Sequence, residues 1–474
     1  MRTGRVLAVV VGLVGVFGVA AAFAASGGVS WGKAIEVPGT AALNTGGNAA
    51  VLAVSCASAG NCAAGGSYTS KSAGGQAFVV SEKNGVWRKA IEVPRTGALN
   101  TGGFAQVSSV SCASAGNCAA GGQYNAGSTP QAFVVSEKSG VWGKAIEVPG
   151  TAALNTGGFA HVSSVSCVSA GNCAAGGVYS DASSGGQVFV VTEKNGVWGT
   201  AIEVPGTGAL NTGGNADLNS VSCASAGNCA AGGHYSDGSG NSQAFVVSEK
   251  SGSWGTAIEV PRTGTLNTGG FANVNSVSCA SAGNCAAGGV YQTDTDHAQA
   301  FVVSEKNGVW GKAIEVPGTA ALNTAGGASV GAVSCASAGN CAAGGLYHTG
   351  TNHAQAFVVS EKNGVWGKAI EVPGLAILNT VGFAAVTPTS VSCVSAGNCA
   401  AGGFYSKGSK TEQAFVVGEK NGVWGAAIEV PGTAALNTAG NAGVNSISCA
   451  GTGKCAIGGS YRGSGRQSAF VTTP

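Results

Sequence analysis

Apolar and polar positions recur along this chain in blocks rather than in helical stripes. From Val107 to Pro149, VSSVSC is a short alternating run and ASAGN a turn. CAAGGQY is a run of small residues, NAGSTP a polar loop, and QAFVVSE a run apolar on both faces. KSG is a tight turn, and VWGKAIEV is a last run ended by Pro149. No 3.6-residue period is present, and short runs of this kind between turn residues predict strands. Each block therefore predicts four strands, here a to d in chain order, after which GTAALNTGGF leads into the next block.

Tryptophan marks the repeat, at Trp31, Trp87, Trp142, Trp198, Trp254, Trp310, Trp366 and Trp424, in steps of 55 or 56 residues with 58 for the last. A fixed period of this length signals a solenoid or a propeller. A continuous apolar strand such as AFVV has to be covered on both sides. In a propeller the neighbouring blades do this, and the Ala and Gly of CAAGG let them approach closely. The chain starts with a lone d run, WGKAIEVP from Trp31, and ends at SAFVTTP with no d run. The predicted fold is all-β: an eight-bladed β-propeller with four antiparallel strands per blade. Its ring is closed by the N-terminal strand completing the last blade, which removes open edges. An open solenoid would need polar capping repeats instead.

Composition narrows the function. Net charge is +2 with 9% charged residues, which provides no basic field for nucleic acid. The N-terminus has Arg2 and Arg5, an apolar run from Val6 to Val19, and Ala22-Phe23-Ala24 in the A-x-A cleavage pattern. It reads as a signal peptide, residues 1–24, leaving a single propeller domain, residues 25–474. The rival reading is an uncleaved anchor, since the apolar run reaches about the spanning length; after cleavage no membrane association is expected. The 16 cysteines form eight C-x5-C pairs: Cys56/Cys62, Cys112/Cys118, Cys167/Cys173, Cys223/Cys229, Cys279/Cys285, Cys335/Cys341, Cys393/Cys399 and Cys449/Cys455. In an exported chain these read as disulfides across each a–b hairpin, ahead of zinc ligands, whose spacings differ. Each would contribute about 2–3 kcal/mol by the chain-entropy argument.

The unit SxSCxSxxxCxxGG…AFVVSExNGxW…P resembles the extracellular multi-repeat propeller proteins of bacteria, and in particular is similar to HAF-type extracellular repeats. The resemblance spans Trp31 to Pro474 and implies architecture rather than activity. The c–d turn also resembles a degraded sialidase Asp-box. Ser81, Gly85 and Trp87 stand in its pattern, but Lys83 occupies the Asp position and the Trp comes one residue early.

In an antiparallel meander the a–b and c–d turns share one face, and the b–c and d–a connections share the other, the top. Of 21 acidic residues, 15 belong to repeated motifs. Asp181, Asp237, Asp294, Asp296 and Glu412 fall in b–c loops, and Asp217 at the end of a d–a loop. His297, His348 and His353 are read into b–c loops, His234 beside one, and His161 into a d–a segment. Where strand a begins, the blades differ most, and a ligand site is expected from Phe104, Gln106, Phe159, His161, Asp217, Phe271, Asn273 and Phe383. Four phenylalanines beside polar side chains can hold a sugar or peptide by stacking plus hydrogen bonds; the alternative is that they plug gaps between blades. SDGSGN at Ser236 and TDTDH at Thr293 have oxygens at roughly calcium-loop spacing but lack the full pattern, so neither metal nor cofactor is expected. The expected protein is secreted and monomeric, a non-catalytic binding or scaffold propeller recognising a glycan, cell-wall or surface-protein ligand. A propeller glycoside hydrolase or lyase and a ligand-free surface protein are the alternatives.

Overall fold

In the computed structural model each block folds as a meander around a common axis. The structure describes residues 29–473 apart from 184, 351–352 and 409–410, so the signal segment lies outside the described residues. In blade 1, strands a, b and c are Ala49–Ser58, Asn61–Ser70 and Gly74–Lys83, paired antiparallel in chain order. Strand a is innermost. Blades 2 to 8 repeat the pattern, beginning at Ala105, Ala160, Ala216, Ala272, Ser329, Ala384 and Ala442. Blade 8 is completed by Ala34–Glu36, which pairs antiparallel with Arg466–Thr472 and sets Ile35 opposite Val471. The eight-bladed ring with N-terminal closure is therefore present as expected.

Two local features differ from the sequence reading. The d run is not continuous: in blade 1, Val86–Trp87 and Ile91–Glu92 pair separately with strand c. Between them the chain turns away, and the Ala90 N–H donates to the Pro38 carbonyl of the preceding blade. The link recurs around the ring, as from Ala145 to Pro94 and from Ala34 to Pro431. The outer strand gives up ladder bonds to bind its neighbour. Second, the stretch after each proline forms a single helical turn, Thr40–Leu43 in the first case. Gly39 precedes it at φ 87°, a left-handed conformation that glycine adopts without strain. One turn is too short to show periodicity.

The core lies between blades, not within them. One cluster joins Ala63, Ala77, Val79 and Val93 of blade 1 to Val107, Val110, Ala120 and Phe133 of blade 2, and seven similar clusters complete the circle. Gly65 shows how tight this is. A Cβ there would sit 2.5 Å from a Val107 methyl of the next blade.

Inner strands of adjacent blades share no backbone ladder, and serines join them instead. The residue before each a-strand cysteine accepts a hydrogen bond from the next cysteine's N–H: Cys112 to Ser55 at 2.9 Å, Cys167 to Ser111 at 2.9 Å, and Cys56 to Ser448 at 2.9 Å across the closure. The serine two residues earlier does the same for valine, as Val165 to Ser109 at 3.0 Å. Farther out, Ser81 Oγ donates to Glu137 Oε1 at 2.6 Å and accepts from Trp142 Nε1 at 2.9 Å, both in blade 2. The SxSC and SEK motifs are thus seam chemistry.

All eight cysteine pairs are disulfides joining residues directly opposite in the a–b ladder, with Cα–Cα distances of 3.9–4.0 Å. So many closed disulfides belong to an oxidising, extracellular-type compartment. No helix among the described residues is long and apolar enough to cross a membrane.

The sequence reading places a disulfide across each a–b hairpin, and the structure bears this out and adds a packing role for the second cysteine of each pair. The bonds are those expected, Cys56–Cys62, Cys112–Cys118, Cys167–Cys173, Cys223–Cys229, Cys279–Cys285, Cys335–Cys341, Cys393–Cys399 and Cys449–Cys455. Yet Cys62, Cys118, Cys173, Cys229, Cys285, Cys341, Cys399 and Cys455 are only 3–7% exposed and belong to the core between blades. Cys118 packs with Ala63 and Ala77 of the preceding blade, and Cys455 with Ala400 and Ala414. The physical reason is their place on strand b, an interior strand covered from both sides, where alternation aims the sulfur at the preceding blade. The a-strand partners, such as Cys56 and Cys112, are only partly buried. These residues are therefore structural positions.

Replacing Ser81 by Ala removes one donor and one acceptor from the seam between blades 1 and 2 and leaves Glu137 and Trp142 unpartnered. The expected loss is about 1–3 kcal/mol of stability, read as a lower midpoint in thermal or denaturant unfolding. An unchanged midpoint would show that this clasp contributes nothing.

Candidate functional site

The two faces are as expected. The Gly85 N–H of a c–d turn donates to the Gly60 carbonyl of an a–b hairpin, which places those turns together. At the other edge the first residue of a c strand bridges the segment entering the next a strand, as Ser242 with Phe271 and Glu412 with Asn441. The single acids of the b–c loops mostly serve their own turns. Asp237 Oδ1 accepts from the Ser239 and Asn241 N–H groups, and its Oδ2 from Gln243. Asp181 is engaged in the same way by Ser183, Gly185 and Gln187. Asp294 holds His297 at 2.7 Å. Glu412 and His353 each begin a c strand, and His348 lies within a b strand, so these three belong to strands rather than to loops.

The predicted rim residues lie where the sequence puts them, but as strand residues. Gln106, His161, Asp217 and Asn273 are each the second residue of an inner strand. Phe104, Phe159, Phe271 and Phe383 stand just before these strands or their equivalents, 37–38% exposed. Backbone bonds fix two of them, from the Phe104 and Phe159 N–H groups to the Asn100 and Asn155 side chains.

A second tier was not foreseen. Each inner strand carries a bulge two residues beyond the rim position, for example at Ser163, Asn219 and Asn275. Rim residues bond down to this tier: His161 Nε2 to Ser163 Oγ at 2.9 Å, and Asn273 to Asn275 at 2.8 Å. The tier bonds across blades: Asn219 donates to Asn273 and to the Val274 carbonyl, both at 2.8 Å, and Asn275 donates to the Val330 carbonyl at 2.7 Å. Blade 7 carries a longer insertion here, Thr387 to Ser390, which accounts for its longer repeat. The sequence signal was the alternation of Asn, Ser and Gly at one repeat position.

Asp217 is the exception in the rim. No rim-to-tier bond forms from it, and its Oδ1 is buried without a partner. Burial pushes its carboxyl up to about 6, with the Leu218 N–H pulling the other way. Burial lowers His161 to about 4. His234, opposite Asp217 across the a–b pair, is also lowered by burial, against a contact with Asn273 that favours its charged form.

The structure gathers these residues into three groups. Phe159 and His161 meet edge-on at 5.5 Å. Asn219 and His234 both meet Asn273, and Asp217 lies opposite His234 without a bond to that network. Phe383 stacks on Phe404 at 5.6 Å with 25° between the rings. Beside that pair a cavity of about 460 Å3 runs across blades 4 to 7, lined by Asn219, Asn275, Gly331, Phe383, Thr387 and Phe404 among others. Of the eight predicted residues only Phe383 lines it. Phe104, Gln106 and Phe271 stand elsewhere on the rim.

No protein-family model matches the chain, and no curated protein sequence does. Among solved structures it is similar to the β-propeller domain of the Trilobed protease from Pyrococcus furiosus, at 7% identity and TM-score 0.44, covering 81% of this chain and 98% of that one. It is also similar to an ulvan lyase, at 10% and 0.43, covering 85% and 96%. A lectin from Burkholderia pseudomallei gives 10% and 0.41, covering 81% and 99%. At these values the likenesses do not bear on what this chain binds.

A folded-state pKa raised above the ordinary 3.8 means that Asp217 is tolerated when protonated and costs stability once ionised. Stability from this group is complete below its unfolded value and is lost as pH rises through about 6. Asp217→Asn is expected to gain roughly 1–3 kcal/mol over the parent at neutral pH, with the gain shrinking as pH falls below about 6 and vanishing below 3.8. Urea midpoints across this range check it; a pH-independent difference would contradict the burial argument.

Proposed function

We propose that this chain is an exported, non-catalytic binding propeller that takes a carbohydrate at the top mouth of its channel. The observation that carries the reading is the stacked Phe383–Phe404 pair beside a cavity edged by Asn219, Asn275 and Thr387. A sugar ring offers an apolar face to an aromatic and hydroxyls to amides, which is the mixture this cavity presents. The exposed Phe104, Phe159 and Phe271 continue the aromatic surface around the rim, where a longer glycan would extend. The predominantly neutral surface suits an uncharged polysaccharide better than a nucleic acid.

A catalytic reading rests on Asp217 alone. An unpartnered carboxyl raised to about 6 has the property of a general acid. Glycoside hydrolysis ordinarily needs a second carboxylate across the bond, and each other acid that distinguishes a blade sits in or beside a b–c connection.

The test is binding of residues 25–474 to an array of cell-wall and environmental polysaccharides, with and without calcium. The expected result is binding that Phe383→Ala weakens about tenfold or more, the worth of one good aromatic contact. Phe159→Ala and His161→Ala should weaken long glycans more than short ones. A blank array would turn the reading toward a surface-protein partner or a ligand-free scaffold. Turnover lost in Asp217→Asn would establish the enzyme instead.

A further inference from the structure

The serine clasp between blades recurs at five seams. Ser81, Ser136, Ser248, Ser304 and Ser360 each donate to a glutamate of the next blade at 2.6–2.9 Å. Each also accepts from that blade's tryptophan at 2.9–3.2 Å. One hydroxyl thus satisfies an otherwise buried carboxylate and a buried indole N–H.

Between blades 3 and 4 the clasp is broken. Thr192 replaces the serine, and its hydroxyl makes no hydrogen bond among the described residues. A β-branched side chain is stiff at χ1, and its methyl competes with the hydroxyl for the side facing the next blade. The partners are left behind, opposite each other across the c–d turn: Glu249 and Trp254. Trp254 Nε1 is buried without a partner, and so is Glu249 Oε2. Glu249 is only 4% exposed, yet neither of its oxygens receives a hydrogen bond among the described residues. Burial raises its pKa, with no hydrogen bond to oppose it.

At the same seam the bottom face opens into a cleft of about 390 Å3 lined by Val168, Asn172, Thr192, Ser225, Glu249 and Ser251, among others. The volume lies in the range of small-molecule sites. On its other side Glu249 borders a cleft toward blade 5 that also includes Ser248, Glu305 and Trp310, where the clasp is intact. Two more departures from the repeat fall in these two blades: Val188 where the other blades have Ala, and Ser253 where six of the other seven d runs have Val.

We infer that the seam between blades 3 and 4 is a second binding site, on the face opposite the rim, for a small neutral polyol or monosaccharide. A ligand hydroxyl takes the place of the missing serine hydroxyl, donating to Glu249 and accepting from Trp254. An alcohol fits because the five intact seams show which group satisfies this pair: one oxygen that donates once and accepts once. A carboxylate ligand would face Glu249 with no proton to share, and an ammonium would leave the indole N–H unanswered.

The experiment is an indole ¹⁵N–¹H titration of the whole chain with glycerol, D-glucose and N-acetyl-D-glucosamine. The Trp254 resonance is assigned by its absence in Trp254→Phe. The expected result is a saturable shift of that resonance while the remaining indoles stay still. Thr192→Ser rebuilds the clasp and should weaken the response about tenfold, the worth of one hydrogen-bonding position, while raising the unfolding midpoint. Phe383→Ala should leave the response intact, so failure here and failure of the rim reading are separable. No shift with any probe would overturn the proposal, as would an equal shift in Thr192→Ser or a shift shared by all indoles; the orphaned pair would then be served by water alone.

Discussion

What holds this ring together is the absence of a backbone ladder between blades. Each blade is joined to the next by side chains, by outer-strand bonds such as Ala90 to Pro38, and by single backbone bonds from the start of a c strand, such as Ser242 to Gly270. The demand falls on small residues. Alanine, glycine and valine close the gap until a serine hydroxyl can reach a neighbour's amide, and Gly65 leaves room for Val107 where any side chain would collide. The glycine-rich composition follows from this spacing. The disulfides act differently. Each bond stiffens a hairpin within one blade and crosses no seam, although its b-strand sulfur helps to fill one.

That division explains what could be read from the residues. Period, strand count and ring closure follow from repeated runs and from the two incomplete ends. The disulfides follow from cysteines spaced to meet across a hairpin. That Cys62 or Cys118 also packs against the preceding blade is not visible in a spacing, because it depends on which way strand b faces. The broken outer strand was hidden because VWGKAIEV has an unbroken β composition, and only the neighbour's proline carbonyl reveals why it breaks. The helical turn at Thr40 is too short to leave a pattern. The rim was legible because its residues differ from blade to blade. The tier beneath was not, since Asn219 and Asn275 look like strand residues until the bulge turns them toward the channel. Thr192 was passed over for the opposite reason. Ser and Thr are near equivalents in a strand, and the difference matters only where one oxygen serves two partners.

Repetition also gives a way to separate scaffold from specialisation without relatives to compare. A group present at every seam, such as the serine before each a-strand cysteine, serves the ring. A group that breaks the pattern, such as Asp217 or Thr192, leaves polar atoms without partners, and unsatisfied buried groups are costly to keep. Both lie in blades 3 and 4, Asp217 at the rim and Thr192 at the opposite face.

The closing strand has a further consequence for assembly. AIEVP occurs eight times, and seven copies are tethered by a short turn to the strand they pair with. The copy at Ala34–Glu36 must find Arg466–Thr472 across almost the whole chain. Its sequence does not single out that edge; vacancy does, because every other edge is filled locally first. Closure is therefore the slow, long-range step of folding. Until it occurs each molecule carries one free strand and one open edge that match those of any other copy. A crowded nascent population can satisfy both by exchange, linking discs head to tail, whereas dilution favours the closed ring.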